Sequence, residues 1–76
     1  MNKARRKVIQ EIHDKIVDLK DSLDDIISEE EEYRDNIPEN MQGSDKYAKV
    51  DEACDALHDA ITNLEDAVDN LNTAME

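Results

Sequence analysis

Residues 53–73 read ACDALHD, AITNLED and AVDNLNT, three successive heptads that each open with alanine. Each heptad has an apolar residue or a thiol at its second position and leucine at its fifth position. Apolar residues that recur at alternating spacings of three and four lie along one side of a helix and pack against another helix. The segment therefore predicts a long amphipathic helix with a stripe of small residues beside its apolar contact line.

The residues before this segment contain a second series with the same spacing. Its members are Ile9, Ile12, Ile16, Leu19, Leu23, Ile26, Glu30 and Tyr33. Pro38 lacks an amide hydrogen and disfavours helical backbone at Ile37, so this helix should end before it. Ser44 or Asp45 can then cap a following helix. The predicted elements are a helix over 3–35, a turn over 36–44 and a helix over 45–75.

The two apolar series match each other when the chain folds back about residue 40. The predicted facing pairs are Tyr33 with Tyr47, Ile26 with Cys54, Leu23 with Leu57, Leu19 with Ile61, Ile16 with Leu64, Ile12 with Val68 and Ile9 with Leu71. Only Glu30, opposite Val50, interrupts the apolar match. The sequence therefore predicts an all-α fold in which residues 1–76 form a single domain, a two-helix antiparallel hairpin of the helical coiled-coil type.

Length and charge limit what the chain can do. A domain of 76 residues buries only about 60% of its unfolded surface, so support from a partner or a second copy is expected. The net charge of −12 disfavours direct binding to nucleic acid or to an anionic membrane. No apolar run approaches the ~20 residues of a membrane span, and the N-terminus does not resemble a signal peptide. A lone cysteine fits a reducing cytoplasm.

A single hairpin would leave apolar positions beside the contact line uncovered. The sequence therefore predicts a homodimer that forms a four-helix bundle. The residues predicted to mediate self-association are Val8, Val17, Ile27, Ala53, Ala60, Ala67 and Ala74. An antiparallel dimer would also place the basic residues of 3–7 near the acidic run Glu29–Glu32 of the other chain. The alternative is that the alanines only reflect high helix propensity on a solvated face.

Neither catalysis nor a metal site is expected. Carboxylate bundles bind metals through Glu-x-x-His pairs, and the nearest matches have Gln10 before His13 and Asp55 before His58. Cys54 is expected to be a buried, inert thiol, and one glycine cannot supply a phosphate-binding loop. The sequence therefore assigns no catalytic, cofactor-binding or metal-binding residue.

The outward side of the first helix is acidic. Carboxylates three or four residues apart lie ~5–6 Å from one another, a spacing comparable with the phosphates of a nucleic-acid strand. Such a surface fits the basic groove of a host protein, although it can also serve only as a solvated face. Glu30 and the adjoining acids weaken the apolar contact next to the turn. The predicted partner-binding residues are Asp14, Asp18, Asp21, Asp25, Glu29, Glu30, Glu31, Glu32, Tyr33, Ile37 and Met41.

Residues 30–44 read EEEYRDNIPENMQGS, after a Met-Asn-Lys start and before the ACDAL heptad. This pattern, above all its NIPEN loop, resembles a group of small helical-hairpin proteins of Firmicutes bacteriophages and mobile elements. The resemblance implies a location in the cytoplasm of a bacterial host and supplies no site residues. Small acidic phage proteins often block a host nuclease or another defence enzyme. The expected function is a non-enzymatic inhibitor of a host nucleic-acid-handling or defence protein, and the alternative is a self-associating structural or assembly protein.

Overall fold

The computed structural model describes all 76 residues and consists of two long helices, α1 (Lys3–Asp35) and α2 (Asp45–Met75). The turn between them contains one 3₁₀ turn, Glu39–Met41. The helices pack against each other along their length, so the predicted all-helical hairpin is confirmed. The hairpin measures 59 × 15 × 13 Å between Cα atoms. Neither helix is sufficiently long and apolar to cross a membrane.

Each helix begins at a side chain that accepts a hydrogen bond from a free amide of its first turn. Asn2 Oδ1 accepts from the amide of Arg5 at 2.8 Å, and Ser44 Oγ accepts from the amide of Tyr47 at 3.3 Å. Such caps stabilise a helix by about 1 kcal/mol each. The first helix ends before Pro38, whose ring is incompatible with continued helix. Pro38 and the cap at Ser44 therefore set where the chain turns.

The core of the hairpin is narrow. Only four residues are buried, namely Cys54 at 0% exposure, Ile27 at 4%, Ile37 at 8% and Ile61 at 8%. Ile37 lies in the turn and the other three lie between the helices. A core of this size leaves little reserve of stability, so each of these side chains carries a large share of it.

The side of α1 that faces α2 differs from the predicted one. Ile12, Leu19, Ile26 and Tyr33 are 45%, 66%, 50% and 47% exposed, respectively, so they do not form the core that their predicted pairing requires. The residue following each of them is half-buried or buried instead, namely His13, Lys20, Ile27 and Arg34. The long stems of Lys20 and Arg34 cover the helix junction while their charged ends reach acids of α2. The helix α1 is therefore turned about its own axis relative to the prediction, while Ile9, Ile16 and Leu23 of the predicted series remain half-buried.

Two charged contacts between the helices also join residues that the predicted fold-back does not place opposite each other. Lys20 lies beside Glu65, whereas the predicted fold-back places Ala60 opposite it. Arg34 lies beside Asp51, whereas the prediction places Lys46 there. Both contacts are salt bridges. The predicted pairs were based on the apolar series alone and therefore did not include them.

Gly43→Ala is expected to stabilise the hairpin by about 0.4–1 kcal/mol, because alanine reduces the freedom of the unfolded chain. The φ of Gly43 is not positive, and an added Cβ would meet no atom within 4 Å. Urea unfolding followed by circular dichroism measures the change. Ala56→Gly, on the exposed side of α2, is the opposite control and should cost about 1 kcal/mol. A less stable Gly43→Ala variant would show that the turn needs the glycine.

Candidate functional site

One face of the hairpin, termed the ion-paired face, is crossed by three polar contacts between the two helices. Two are salt bridges, Lys20 Nζ with Glu65 Oε1 at 3.8 Å and Arg34 Nη1 with Asp51 Oδ1 at 3.0 Å, and the third is a hydrogen bond between His58 Nε2 and Glu31 Oε1 at 2.6 Å. Asp51, His58 and Glu65 follow one another at intervals of seven residues and so share one side of α2. On α1, Lys20 and Arg34 likewise share one side. The polar side chains of these three contacts are therefore paired within the hairpin.

Arg34 is the most connected side chain of this face. Its Nε donates to Asp35 Oδ1 at 3.2 Å, and its Nη1 donates to Asp51 Oδ1 at 3.0 Å. The hydrogen bond with Asp35 raises the pKa of Arg34, and the contact with Asp51 adds to that effect. The guanidinium thereby ties the last turn of α1 to the first turns of α2.

Cys54 lies at the centre of the helix interface and has no exposed surface. It is not part of a disulfide. Burial raises the pKa of its thiol, while the guanidinium of Arg34 opposes that shift. The carboxylates of Glu30, Glu31 and Asp51 raise the pKa further. The thiolate is thus disfavoured, which makes Cys54 a packing residue and a poor nucleophile.

The opposite side of the hairpin, termed the apolar face, has a different composition. Its α1 column comprises Ile12, Leu19, Ile26 and Tyr33, and Val8 lies one turn before Ile12; each of the five is between 45% and 66% exposed. Lys46 Nζ lies 5.4 Å from the centroid of the Tyr33 ring, which places the two residues on the same face. Since Lys46 precedes Ala53 by seven residues, the alanine column of α2 lies on this face as well. The exposed apolar column and the alanines are therefore neighbours.

The residues predicted to mediate self-association do not share one face. Val8 and the alanine column belong to the apolar face, with Ala53, Ala60 and Ala67 half-buried and Ala74 exposed. Val17 lies on the other side, where it lines a shallow depression with Lys20 and Glu65. Ile27 is buried within the hairpin and is unavailable to a second copy. The structure thus separates Val17 and Ile27 from the rest of the predicted set.

The acidic side of α1, termed the acidic ridge, comprises Asp14, Asp18, Asp21, Asp25, Glu29 and Glu32. All six side chains are exposed. Asp14 accepts hydrogen bonds from His13 Nδ1 at 3.0 Å and from Gln10 Nε2 at 2.9 Å, and these contacts lower its pKa. None of the other five makes an ion pair within the hairpin. Most of the ridge therefore presents negative charge that no side chain of the hairpin neutralises.

The turn end contains the remaining predicted partner-binding residues. Glu30 and Glu31 are half-buried, and Glu31 is engaged with His58. Tyr33 is 47% exposed and Met41 is 45% exposed. Ile37, in contrast, is only 8% exposed and packs inside the turn. The inclusion of Ile37 in a partner-binding surface was therefore wrong, because a buried side chain has nothing to offer a partner.

The open end of the hairpin forms the largest concavity of the molecule. Basic and apolar side chains line it, namely Lys3, Ala4, Arg6, Lys7, Gln10 and Met75. No group of three or more histidine, cysteine, aspartate or glutamate side chains is arranged to hold a metal ion anywhere in the structure. The concavity is thus a shallow groove with a mainly basic lining.

The sequence reasoning missed the structural role of Lys20 and Arg34. A signal for it was present, because 13, 20, 27 and 34 form a column at intervals of seven, next to the apolar column. The acids Asp51 and Glu65 form a matching column on α2. Comparing charged columns between the helices, in addition to apolar ones, would have indicated which side of α1 turns inward.

No protein-family model, curated protein or solved structure matches the chain. The surfaces of the hairpin that bear on its function are the ion-paired face, the apolar face and the acidic ridge.

Proposed function

We propose that the chain is a non-enzymatic interaction module whose acidic ridge binds the basic surface of a host protein. Its target is a nucleic-acid-handling or defence protein in the bacterial cytoplasm, which the ridge inhibits by occupying the groove that receives nucleic acid. The observation that carries the proposal is the row of six exposed carboxylates on α1, five of which make no ion pair within the hairpin.

The position of the bases supports the same interpretation. The cross-helix contacts place Lys20 and Arg34 on the ion-paired face, where Glu65 and Asp51 engage them. The basic residues near the N-terminus lie at the open end. On α1, Lys15 is the one cation that lies among the ridge carboxylates, and it is exposed and makes no ion pair. An uncompensated row of charge raises the rate of encounter with an oppositely charged partner and makes that encounter salt-dependent.

The dimensions of the ridge also suit a nucleic-acid groove. The helical segment from Asp14 to Glu32 is ~27 Å long at 1.5 Å per residue. Its carboxylates follow one another at about 5–6 Å where they are three or four residues apart. A protein groove shaped for a phosphate backbone would meet a comparable series of negative charges.

The triple variant Asp18→Asn, Asp21→Asn, Asp25→Asn is expected to lose binding to the partner by at least about tenfold. A pull-down from host lysate identifies the partner, and titration of the purified proteins at low and high salt measures the affinity. Double-stranded DNA or RNA should displace the wild-type chain from the partner. The asparagine side chains keep the shape of the ridge and remove only its charge.

The matched control removes three acids from the exposed side of α2, by Asp55→Asn, Asp59→Asn and Asp66→Asn. The change of net charge is the same, so a general electrostatic effect would weaken both variants equally. Retained binding by the control and lost binding by the ridge variant support the proposal. Equal binding by wild type and ridge variant would refute nucleic-acid mimicry.

A second candidate is a self-associating structural or assembly protein, with a homodimer that forms a four-helix bundle as its unit. The observation that favours it is the apolar face, where five large side chains between 45% and 66% exposed follow one helix. Continuous exposed apolar surface of this kind marks an interaction site. Growth into assemblies larger than a dimer would favour this second candidate over inhibition.

A further inference from the structure

The apolar face presents an arrangement that a lone hairpin does not explain. Two columns of α1 are half-buried or buried against α2, namely Ile9, Ile16, Leu23 and Glu30, and His13, Lys20, Ile27 and Arg34. The column that faces solvent contains Ile12, Leu19, Ile26 and Tyr33 and has no charged member among these four. The most apolar column is thus the one left exposed. Native sequences normally place the most apolar column of a helix in a packed interface. The exposed column is therefore expected to be covered in the functional state.

The spacing of this column is symmetric about Leu19. Ile12 and Ile26 each lie seven residues from it, and Arg5 and Tyr33 each lie fourteen residues from it. When two such columns run in opposite directions and cross at Leu19, isoleucine lies level with isoleucine on both sides. A two-fold interface requires a surface that matches itself in this way.

The apolar face is also large enough for a stable interface. The hairpin is 59 Å long and 15 Å wide, which gives a footprint of roughly 900 Å². A specific interface of standard size buries about 800 Å² on each partner. The alanine column lies beside the apolar column and lets a second pair of helices approach closely.

We infer that the occupant of the apolar face is a second copy of this chain. In the resulting four-helix bundle the two α1 helices lie against each other in opposite directions with Leu19 at the two-fold axis. This inference deepens the self-association proposed above, since it names the interface and the orientation. It excludes Val17 and Ile27 from the interface and adds Ile12, Leu19 and Ile26 to it.

The charges of α1 select the antiparallel orientation. With Leu19 at the axis, Arg5 of one copy lies level with Tyr33 of the second copy and close to its Glu29 and Glu32. A guanidinium gains from both an aromatic ring and carboxylates. A parallel arrangement would instead place basic residues beside basic residues and the two acidic runs beside each other. The antiparallel dimer is therefore the favoured one.

This orientation has a consequence for the acidic ridge. The two α1 helices become neighbours, about 8–10 Å apart, on one edge of the bundle. Their ridges then lie side by side and run in opposite directions. The dimer thus presents two antiparallel rows of carboxylates where a single hairpin presents one.

Sedimentation of the full chain at micromolar concentration tests the interface. The wild type should sediment at twice the 8.7 kDa mass of the chain, and Leu19→Gln should sediment as the monomer. Leu19 is 66% exposed in the hairpin, so circular dichroism of the variant should keep its helical signal. Val17→Gln, the same kind of change on the ion-paired face, should remain a dimer. A monomeric wild type, or a Leu19→Gln variant that stays dimeric, overturns the inference.

A disulfide tests the orientation separately. In the variant L19C/C54A the two engineered thiols lie next to each other at the two-fold axis, so mild oxidation should cross-link nearly all of the dimer. The matched variant V17C/C54A should not cross-link. A dimer of L19C/C54A that resists cross-linking overturns the antiparallel α1 contact. These results do not depend on the acidic ridge. The dimer can therefore persist when binding of a host protein fails, and binding of a host protein can persist when the dimer is lost.

Discussion

Ile27→Ala is expected to lower the free energy of unfolding by about 2–5 kcal/mol, because it empties a buried site that the narrow core cannot refill. Ile27 is 4% exposed, and the total stability of a domain this small is itself only several kcal/mol. Most of the variant should therefore be unfolded at 37 °C. Urea or thermal unfolding followed by circular dichroism at 222 nm measures the loss.

Its neighbour provides the matched control. Ile26 is the same residue type in the same helix but is 50% exposed, so Ile26→Ala should cost less than about 1 kcal/mol in the monomer. If a second copy covers the apolar face, the cost of Ile26→Ala should increase with protein concentration, whereas that of Ile27→Ala should be large at every concentration. If the two variants lost the same free energy of unfolding in dilute protein, Ile27 would not be the residue that faces α2.

Cys54→Asp is expected to abolish cooperative folding at neutral pH. It places a carboxylate where the side chain has 0% exposure. The nearby guanidinium of Arg34 is already bound by Asp35 and Asp51, and a buried charge without a partner of its own costs several kcal/mol. Glu30, Glu31 and Asp51 already place negative charge near this site. Cys54→Ala is the control and should keep the helical signal and a cooperative transition. A folded Cys54→Asp hairpin would show that water reaches this position.

The thiol itself supplies a pH test of the same site. Burial raises the pKa of Cys54 above its ordinary value of 9.0, so the folded chain holds this proton to higher pH than the unfolded chain does. This contribution to stability is fully present below about pH 9 and is lost as the pH rises through the raised pKa. The stability difference between wild type and Cys54→Ala should therefore shrink from pH 8 to pH 10. A difference that does not change with pH would place the thiol in contact with solvent.

The hairpin was predictable because its signals are local and agree with one another. Pro38 stops one helix, Ser44 starts the next, and apolar heptads occur on both sides of the turn. The direction in which α1 faces was not predictable in the same way. The apolar series contains Ile9, Ile16 and Leu23, and it is compatible with α2 packing on either side of them. The side that packs inward contains the buried Ile27, together with Lys20 and Arg34, whose acidic partners on α2 are distant in sequence.

The candidate site was predictable to a similar extent. A row of acids on one side of a helix is visible in the sequence, and the structure leaves Asp18, Asp21 and Asp25 exposed. The burial of Ile37 was not predictable, because nothing in the sequence around a residue that precedes a proline in a polar loop indicates burial. Its side chain is buried by the way the turn folds over it, which depends on the complete hairpin.

The buried Ile37 at the turn also indicates the order in which the hairpin folds. The contact between Arg34 and Asp51 joins residues that are 17 apart in the sequence. The contact between Lys20 and Glu65 closes a much longer loop. Loop closure costs more entropy as the loop grows. Folding should therefore start at the turn and proceed like a zipper toward the open end, with the basic groove forming last. Mutations near Ile37 should slow folding, while mutations near Ile9 or Leu71 should mainly speed unfolding.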